Sequence, residues 1–318
     1  MQNKEKRILL ASPRGYCKGV ERAIRLLEDA IDRESGTIHV RKEIVHNNAL
    51  VEHFRSLGVV IVDEVDDVPE GGVVVFSAHG VAPSVRETAK LRNLAVIDAT
   101  CPLVTKVHNE AIHLKDQSYT IILIGEAGHK EMIGVIGEAP ENIRFIHSIN
   151  DIDSLTGITC SRVAWLSQTT LNVDETEKIV ERLKEKFPMI QGPPKSDICY
   201  ATRNRQLAVR NIANECDLFI VIGSRTSSNT KRLAEVASES VTAKVVRIDE
   251  PEELVGMDFS LIHTIGVTSG VSVTNEQLMK TIAYLKEIGY ACIEERVAAN
   301  ENNEDFYIEV GHGERFEG

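Results

Sequence analysis

Short apolar runs alternate with amphipathic stretches along almost the whole chain. Runs such as RILLAS, GVVVFSAHG, YTIILIGEAGH and DLFIVIGSRTSSN are rich in Val, Ile and Leu, and most are followed by Gly or small polar residues. Between them lie stretches such as VERAIRLLEDAI and DETEKIVERLKEKF, whose apolar residues recur at helical spacing. Near-continuous apolar strands that alternate with helices are typical of parallel sheets covered on both faces. The pattern therefore predicts an α/β fold.

A loose internal repeat divides this pattern into three parts. An extended stretch, a cysteine and a helix-like stretch with basic residues recur as PRGYCKGVERAIR, DATCPLVTKVHNEA and SDICYATRNRQLAVR. Repetition of one small unit predicts three α/β lobes with mostly parallel sheets around a pseudo-threefold axis. The predicted boundaries are 18–101, 102–197 and 198–288, with an N-terminal strand at 7–17 completing the third lobe and an acidic, irregular tail at 289–318.

Composition and charge exclude several classes of protein. The 318 residues include 48 acidic and 36 basic side chains, and the net charge of −12 argues against a nucleic-acid-binding surface. No apolar run reaches the roughly 18 residues of a membrane span, and the first residues do not resemble a signal peptide. We therefore expect a cytoplasmic protein without a membrane partner. An anionic ligand would need a local set of donors, because the overall field repels it.

Three cysteines occupy equivalent positions in the repeat, Cys17, Cys101 and Cys199. A single cysteine is most often a small buried core residue, so packing is the alternative for each of them. Three converging thiolates suit an iron–sulfur cluster with one iron open to substrate. A zinc ion with three thiolates and a water is the competing interpretation. The other cysteines lie outside the repeat and are predicted to pack in the core: Cys160, Cys216 and Cys292.

Polar side chains follow several predicted strands and indicate an anion site. The candidates are His46, His79, His129, Ser227, Ser228, Asn229 and Ser272. They supply ring N–H, hydroxyl and amide donors, some of them where a helix would begin, and helix N-termini favour anions. A lone histidine at a strand end is more often structural, but the group as a whole predicts a site for a polyanion such as a diphosphate. Neither GxxxxGK[ST] nor GxGxxG occurs, so a nucleoside triphosphate or a dinucleotide is not expected.

A candidate proton donor, Glu131, lies two residues after His129. If His129 faces the site, Glu131 can act at its edge as a general acid. Thr169 and Thr170 end another apolar run and would relay protons or orient that acid. The alternative for all three residues is an ordinary role at the start of a helix.

These features together resemble the LytB/IspH family, the hydroxymethylbutenyl diphosphate reductases. The similarity covers the chain from about residue 7 to about residue 290. It rests on PRGYCKGVERAI, VRKEIVHN, FSAHGV, DATCPLVTKVH, GEAGHKE, SQTTL, DICYATRNRQ, GSRTSSN and GVTSGVS, in this order. Ordinary α/β proteins do not share this set of motifs.

The resemblance implies a reaction and a cofactor. Cys17, Cys101 and Cys199 would ligate a [4Fe–4S] cluster at the centre of the three lobes. The diphosphate would be held by His46, His79, His129, Ser227, Ser228, Asn229 and Ser272. Glu131 would deliver protons and Thr169 would hydrogen-bond the substrate hydroxyl, with Asn47, Gln168 and Thr202 beside these motifs.

The implied activity is the last step of the methylerythritol phosphate route to isoprenoids. The allylic hydroxyl of 4-hydroxy-3-methylbut-2-enyl diphosphate is removed by reduction, which gives isopentenyl and dimethylallyl diphosphate. Two protons are consumed, and a flavodoxin or a ferredoxin would supply two electrons. Two positions depart from the usual family pattern: Lys130 stands where proline is common, and Val273-Thr274 replace Ala-Pro.

Three other functions remain open on the sequence. A cluster-dependent dehydratase would use the open iron without external electrons. A redox sensor would bind a diphosphate without turnover, although a sensor needs no proton donor. A zinc hydrolase is weakened by the absence of HExxH.

Overall fold

The computed structural model describes residues 5–158, 162–240 and 244–301. The strands in these ranges are β1 (Arg7–Ser12), β2 (Ile38–Arg41), β3 (Val60–Val62), β4 (Val73–Phe76), β5 (Ala95–Asp98), β6 (Thr120–Ile124), β7 (Ile143–Ile146), β8 (Val163–Ser167), β9 (Leu218–Ile222), β10 (Lys244–Ile248), β11 (Thr264–Ser269) and β12 (Cys292–Val297). The helices are α1 (Lys18–Arg33), α2 (Asn48–Ser56), α3 (Pro83–Leu91), α4 (Pro102–Asp116), α5 (Lys130–Glu138), α6 (Val173–Lys186), α7 (Tyr200–Ala213), α8 (Ser228–Ser240) and α9 (Asn275–Glu287). No helix within these ranges is long and apolar enough to cross a membrane.

The strands form three sheets in which the paired strands run parallel. Their orders are β10-β9-β11-β1-β12, β3-β2-β4-β5 and β7-β6-β8. The predicted α/β fold with three parallel sheets is therefore confirmed. The chain divides into two compact units: a first unit of residues 5–17, 46–48, 200–240 and 244–301, and a second unit of residues 18–45, 49–158 and 162–199. The three-lobe boundaries given above stay a prediction.

The first unit is built around the five-stranded sheet, which has helices on both faces. Along β1, Ile8 and Leu10 pack with α9, whereas Leu9 and Ala11 pack with α7 and α8. Successive side chains of a strand point to opposite faces, so both faces of this sheet are buried. This double burial explains why RILLAS is apolar throughout rather than alternating.

The second unit contains the other two sheets. In β6, Ile122 and Ile124 pack with α6, and Ile121 and Leu123 pack with α4 and α5. The same double burial therefore selects the TIILI sequence of this strand. α4 and α5, which begin directly after the candidate residues Cys101 and His129, therefore pack against one small core.

The stretch after residue 289 differs from the prediction of an irregular tail, because residues 292–297 form β12. This strand pairs with β1 from Arg7–Cys292 to Ser12–Val297. It lies at the edge of its sheet, where charged side chains are tolerated and guard against pairing with other chains. The predicted core position of Cys292 is also wrong, since this residue is exposed at the strand start. Cys160 and residues 302–318 lie outside the described residues.

Candidate active site

The three repeated cysteines each lie directly before a helix. Cys101 is the N-cap of α4; its N–H donates to Ala78 O at 3.0 Å, and its carbonyl accepts from Val104 N at 2.9 Å. Cys17 precedes α1, and Cys199 precedes α7. All three are partly exposed. A helix N-terminus stabilises negative charge, so these positions favour the thiolate that binds metals.

The remaining described cysteines have a different chemistry. Cys216 is buried, donates from Sγ to Ile212 O at 3.1 Å, and burial raises the pKa of its thiol to about 12. It is therefore the packing residue that was predicted, whereas Cys292 is exposed. Within the described residues, no group of three or more His, Cys, Asp or Glu side chains is arranged to hold a single metal ion. The fit of the repeated cysteines to a cluster rests on their donor chemistry and their positions before helices.

Two of the predicted histidines lie together in the second unit. The rings of His79 and His129 meet edge to face, with centroids 5.8 Å apart. His129 is the N-cap of α5, and its Nδ1 accepts from the backbone N–H of Glu131 at 3.2 Å. In the neutral ring the proton is therefore on Nε2, which can donate to an anion. His79 Nδ1 lies 3.2 Å from Ser77 Oγ.

The carboxyl group of Glu131 is buried, and it is hydrogen-bonded to Thr169, just beyond the end of β8. It is 2% exposed; Oε1 accepts from Thr169 N at 2.8 Å, and Oε2 accepts from Thr169 Oγ1 at 2.9 Å. Burial raises the pKa of Glu131 to about 7, against the lowering effect of the Thr169 hydrogen bonds. The carbonyl of Thr169 also accepts from the backbone N–H of Cys199 at 3.1 Å. One threonine thus contacts both the candidate acid and a candidate metal ligand.

The shifted pKa of Glu131 gives a prediction for stability. At a pH between 4.5, the ordinary pKa of a glutamate, and about 7, Glu131 keeps its proton in the folded chain and releases it in the unfolded chain. The contribution of Glu131 to the free energy of unfolding therefore falls as the pH rises through this window. We expect Glu131→Gln to gain stability relative to the original chain from about pH 4 to about pH 8, as measured by urea unfolding. A stability difference that does not change with pH would contradict the assignment.

A charge network that was not predicted from the sequence lies beside this acid; its Asp197 is buried, and its Lys106 and Glu110 are partly exposed. Lys106 Nζ donates to Asp197 Oδ1 at 2.9 Å and lies 3.2 Å from Glu110 Oε1, and Asp197 Oδ2 accepts from Ser167 N at 2.9 Å. Burial and the nearby Asp197 together raise the pKa of Glu110 to about 7, against the lowering effect of Lys106. Lys106 and Glu110 are one helical turn apart, which is a visible signal, but Asp197 lies 91 residues from Lys106 in the sequence.

The first unit gathers the other predicted anion-binding residues. Ser227, Ser228, Asn229 and Ser272 are all buried. Ser228 begins α8, and Ser227 Oγ accepts from Thr230 N at 3.3 Å. Ser272 Oγ donates to His46 O at 2.8 Å, so His46 belongs to the same cluster. Asn47 holds this segment in place, because its Nδ2 donates to Ser272 O at 2.6 Å.

The amide of Asn229 has a fixed orientation and an unused donor. Its Oδ1 accepts from Val271 N at 3.2 Å, which directs Nδ2 the other way. Asn229 is 2% exposed, and within the described residues Nδ2 has no hydrogen-bond partner. Leaving a buried donor unsatisfied is costly, and such groups in native structures point to a missing ligand, ion or water. Asn229 is therefore prepared to donate to an anion.

The backbone approaches this cluster closely at the end of β9. Gly223 has φ of +138°, and a Cβ there would come within 2.6 Å of Thr230 Oγ1. A glycine is needed because both the dihedral angle and the contact exclude a side chain. The backbone at Gly223 can thus pack tightly onto Thr230 in the first turn of α8.

The two departures from the family pattern have local explanations. Lys130 is the first residue of α5, and its Nζ lies 3.4 Å from Glu43 Oε2. Val273 is buried in the core under α9, and Thr274 is the N-cap of that helix. Neither change removes a candidate site residue.

Comparisons with known proteins agree with this picture. A family model described as LytB protein matches residues 8–286. The chain is similar to the 4-hydroxy-3-methylbut-2-enyl diphosphate reductase of Nocardia farcinica, with 51% identity over 296 residues that cover 93% of this chain and 88% of the relative. A reductase of the same name from Rhodococcus opacus is 50% identical over 297 residues, with the same coverage.

A solved structure extends the similarity to the fold. The E-1-hydroxy-2-methyl-but-2-enyl-4-diphosphate reductase from Plasmodium falciparum has a TM-score of 0.91 to this chain at 36% identity, and the match covers 94% of each chain. The protein is an α/β enzyme: its sheets are parallel, three of its thiols lie directly before helices, and one acid is buried. The chain belongs to the LytB protein family.

Proposed function

We propose that this chain reduces 4-hydroxy-3-methylbut-2-enyl diphosphate to isopentenyl diphosphate and dimethylallyl diphosphate. One substrate molecule takes up two electrons and two protons, its allylic C–O bond breaks, and the oxygen leaves as water. The observation that carries the proposal is the buried Glu131, whose pKa is about 7. A carboxyl that is partly protonated near neutral pH can serve as a general acid, which a proton-consuming reduction requires. The names of the relatives at about 50% identity support the same reaction.

The cofactor in this proposal is a [4Fe–4S] cluster held by Cys17, Cys101 and Cys199. When bound, the cluster supplies the electrons and an open iron that acts as a Lewis acid toward the substrate hydroxyl. The chemistry of the donor set supports it, because three partly exposed thiols lie directly before helices, where thiolates are stabilised. We further propose that an external carrier such as flavodoxin or ferredoxin delivers the electrons, and that the chain works in the cytoplasm.

The diphosphate is held by donors on the chain itself. We assign this role to His46, His79, His129, Ser227, Ser228, Asn229 and Ser272. Buried hydroxyl and amide donors and the start of α8 can bind an anion although the protein as a whole is acidic. The unused Nδ2 of Asn229 supports this assignment most directly.

Proton delivery runs through Glu131 and Thr169. The hydroxyl of Thr169 contacts Glu131 Oε2, so it can pass a proton from the carboxyl to the substrate oxygen and orient that oxygen at the same time. Because Glu131 is buried, bulk water does not compete for the proton. Gln168 fixes the strand end, since its Oε1 accepts from Glu126 N at 2.9 Å and its Nε2 donates to Thr170 Oγ1 at 2.8 Å.

The test is a Mössbauer spectrum of anaerobically prepared, iron-57-labelled protein with and without the hydroxylated diphosphate, combined with a turnover assay under a chemical reductant. We expect a [4Fe–4S] signal with one distinct iron that shifts on adding substrate, and consumption of two electrons for each product. Conversion of substrate without consumption of reductant would indicate a dehydratase. Substrate binding without turnover would indicate a sensor, and a protein that holds zinc would refute the cluster.

Asn229→Ala is expected to weaken binding of the diphosphate about tenfold or more. The substitution removes one donor to a charged group, and hydrogen bonds to charged groups contribute about 1.5–3 kcal/mol. Calorimetric titration with the substrate measures the change. Ser238→Ala is the matched control, since this exposed residue lies on the same helix and donates to Ala234 O. Equal affinities of the two variants would exclude Asn229 from the anion site.

A further inference from the structure

A fully buried guanidinium in the first unit contacts residues 13–16, which connect β1 to Cys17 and which we name the Cys17 loop. Arg205 of α7 is 0% exposed. Its Nη2 donates to Gly15 O at 2.9 Å and to Tyr16 O at 3.2 Å, and its Nε donates to Gly15 O at 3.3 Å. These two carbonyls belong to the residues immediately before Cys17. The backbone just before Cys17 therefore accepts hydrogen bonds from a charged side chain 188 residues further along the chain.

The counter-charge for this guanidinium comes from the C-terminal end of the described chain. Nη1 of Arg205 donates to Glu301 Oε1 at 2.8 Å and to Ala201 O at 3.0 Å. With these bonds, all five N–H donors of the guanidinium are used. A buried cation is costly unless it is paired and hydrogen-bonded. Without Glu301, Arg205 would lose its counter-charge, and its guanidinium would favour a position in contact with water.

The same C-terminal segment contacts β1 and, through Arg14, the Cys17 loop. β12 pairs with β1 over its whole length, Ala298 N donates to Ser12 O at 2.8 Å, and Arg14 Nη1 donates to Glu295 Oε1 at 2.6 Å. Residues 292–301, which we name the C-terminal clasp, lie beyond the stretch 8–286 that the family model matches. The clasp thus adds contacts that the matched stretch does not contain.

We propose that the C-terminal clasp fixes the Cys17 loop through Arg205, and that Glu301 and Arg205 are positioning residues for the Cys17 thiolate. The effect on the cluster rests on the proposed function, in which Cys17 is a ligand. The restraint on the Cys17 loop does not depend on that function. Partners that orient metal ligands from outside the coordination sphere are commonly worth about 10–100-fold in metal affinity. Glu301 is accordingly part of the metal-binding apparatus rather than of a passive tail.

The restraint is tested first on the full-length, metal-free chain. The rate at which iodoacetamide alkylates Cys17 is measured by peptide mass spectrometry, with an added cysteine-containing peptide as reference. Glu301→Gln is expected to raise the Cys17 rate about tenfold, because the loop opens more often once its charged anchor is weakened. Glu294→Gln is the matched control, because it removes a carboxylate of the same segment, and that carboxylate pairs with Arg7 rather than with Arg205. Equal Cys17 rates in the two variants would overturn the proposal.

The second measurement uses the reconstituted holoenzyme. Loss of iron to a chelator is expected to be about tenfold faster in Glu301→Gln than in Glu294→Gln. Arg205→Lys should behave like Glu301→Gln, because the compact ammonium of lysine cannot reach the two loop carbonyls and the carboxylate together as the planar guanidinium does. An unchanged rate of iron loss in Glu301→Gln would overturn the role toward the cluster. If the original chain bound no cluster, the proposed function would fail, and the alkylation rates would still decide the restraint.

Discussion

Replacing Glu131 by glutamine is expected to lower turnover by about a hundredfold or more while the fold and diphosphate binding are kept. General acid catalysis contributes roughly 10²–10⁴-fold, and glutamine has no proton to give at neutral pH. The amide fits the same buried space, and its oxygen can still accept from the backbone N–H of Thr169. Turnover under saturating reductant and calorimetric binding of the substrate are the two measurements.

The control for this substitution is Glu141→Gln, an exposed residue just beyond α5. It should change neither turnover nor binding. The pH profile gives an independent check: turnover of the original chain should fall above about pH 7, where Glu131 loses its proton, and the residual turnover of Glu131→Gln should lack that limb. Substantial turnover retained by Glu131→Gln would remove this residue from the role of acid.

The parts of the structure that the sequence predicted are those with a local signal. Continuous Val and Ile runs predicted strands buried on both faces, which β1 and β6 confirm, whereas Val96 in β5 is exposed at the edge of its sheet. Cys101 was expected at a strand-to-helix junction because an extended apolar stretch precedes it and a helix-like stretch follows it. The structure makes Cys101 the N-cap of α4. Each of these features depends on only a few neighbouring residues.

The parts that the sequence did not predict depend on distant contacts. The basic helix that follows Cys199 looks like an ordinary solvated surface, yet Arg205 is fully buried between the Cys17 loop and Glu301. The contact of Asp197 with Lys106 likewise has no local signal. β12 was missed because an edge strand needs only a weak apolar pattern and tolerates charges, and Cys292 was misjudged for the same reason.

Cys101→Ser is expected to abolish the cluster and to reduce turnover by about a hundredfold or more. The serine oxygen is a poor substitute for a thiolate toward iron, and loss of a direct ligand should exceed the roughly 10–100-fold effect of outer-shell partners. The fold should persist, because the bonds of Cys101 to Ala78 and Val104 involve only the backbone, and serine is a favoured N-cap. Iron content, the Mössbauer spectrum and turnover are measured on protein reconstituted in parallel with the original chain.

The controls are the same substitution at the two described cysteines that lie outside the repeat, Cys292 and Cys216. Cys292→Ser changes an exposed thiol and should keep both iron and turnover. Cys216→Ser lies in the core, so some loss of thermal stability is expected, but iron bound per folded chain should be unchanged. Comparing the three variants separates ligation from packing. If Cys101 only packed, Cys216→Ser would have the larger effect, because Cys216 is the more buried residue. Full iron content in Cys101→Ser would return Cys101 to a structural role at the start of α4.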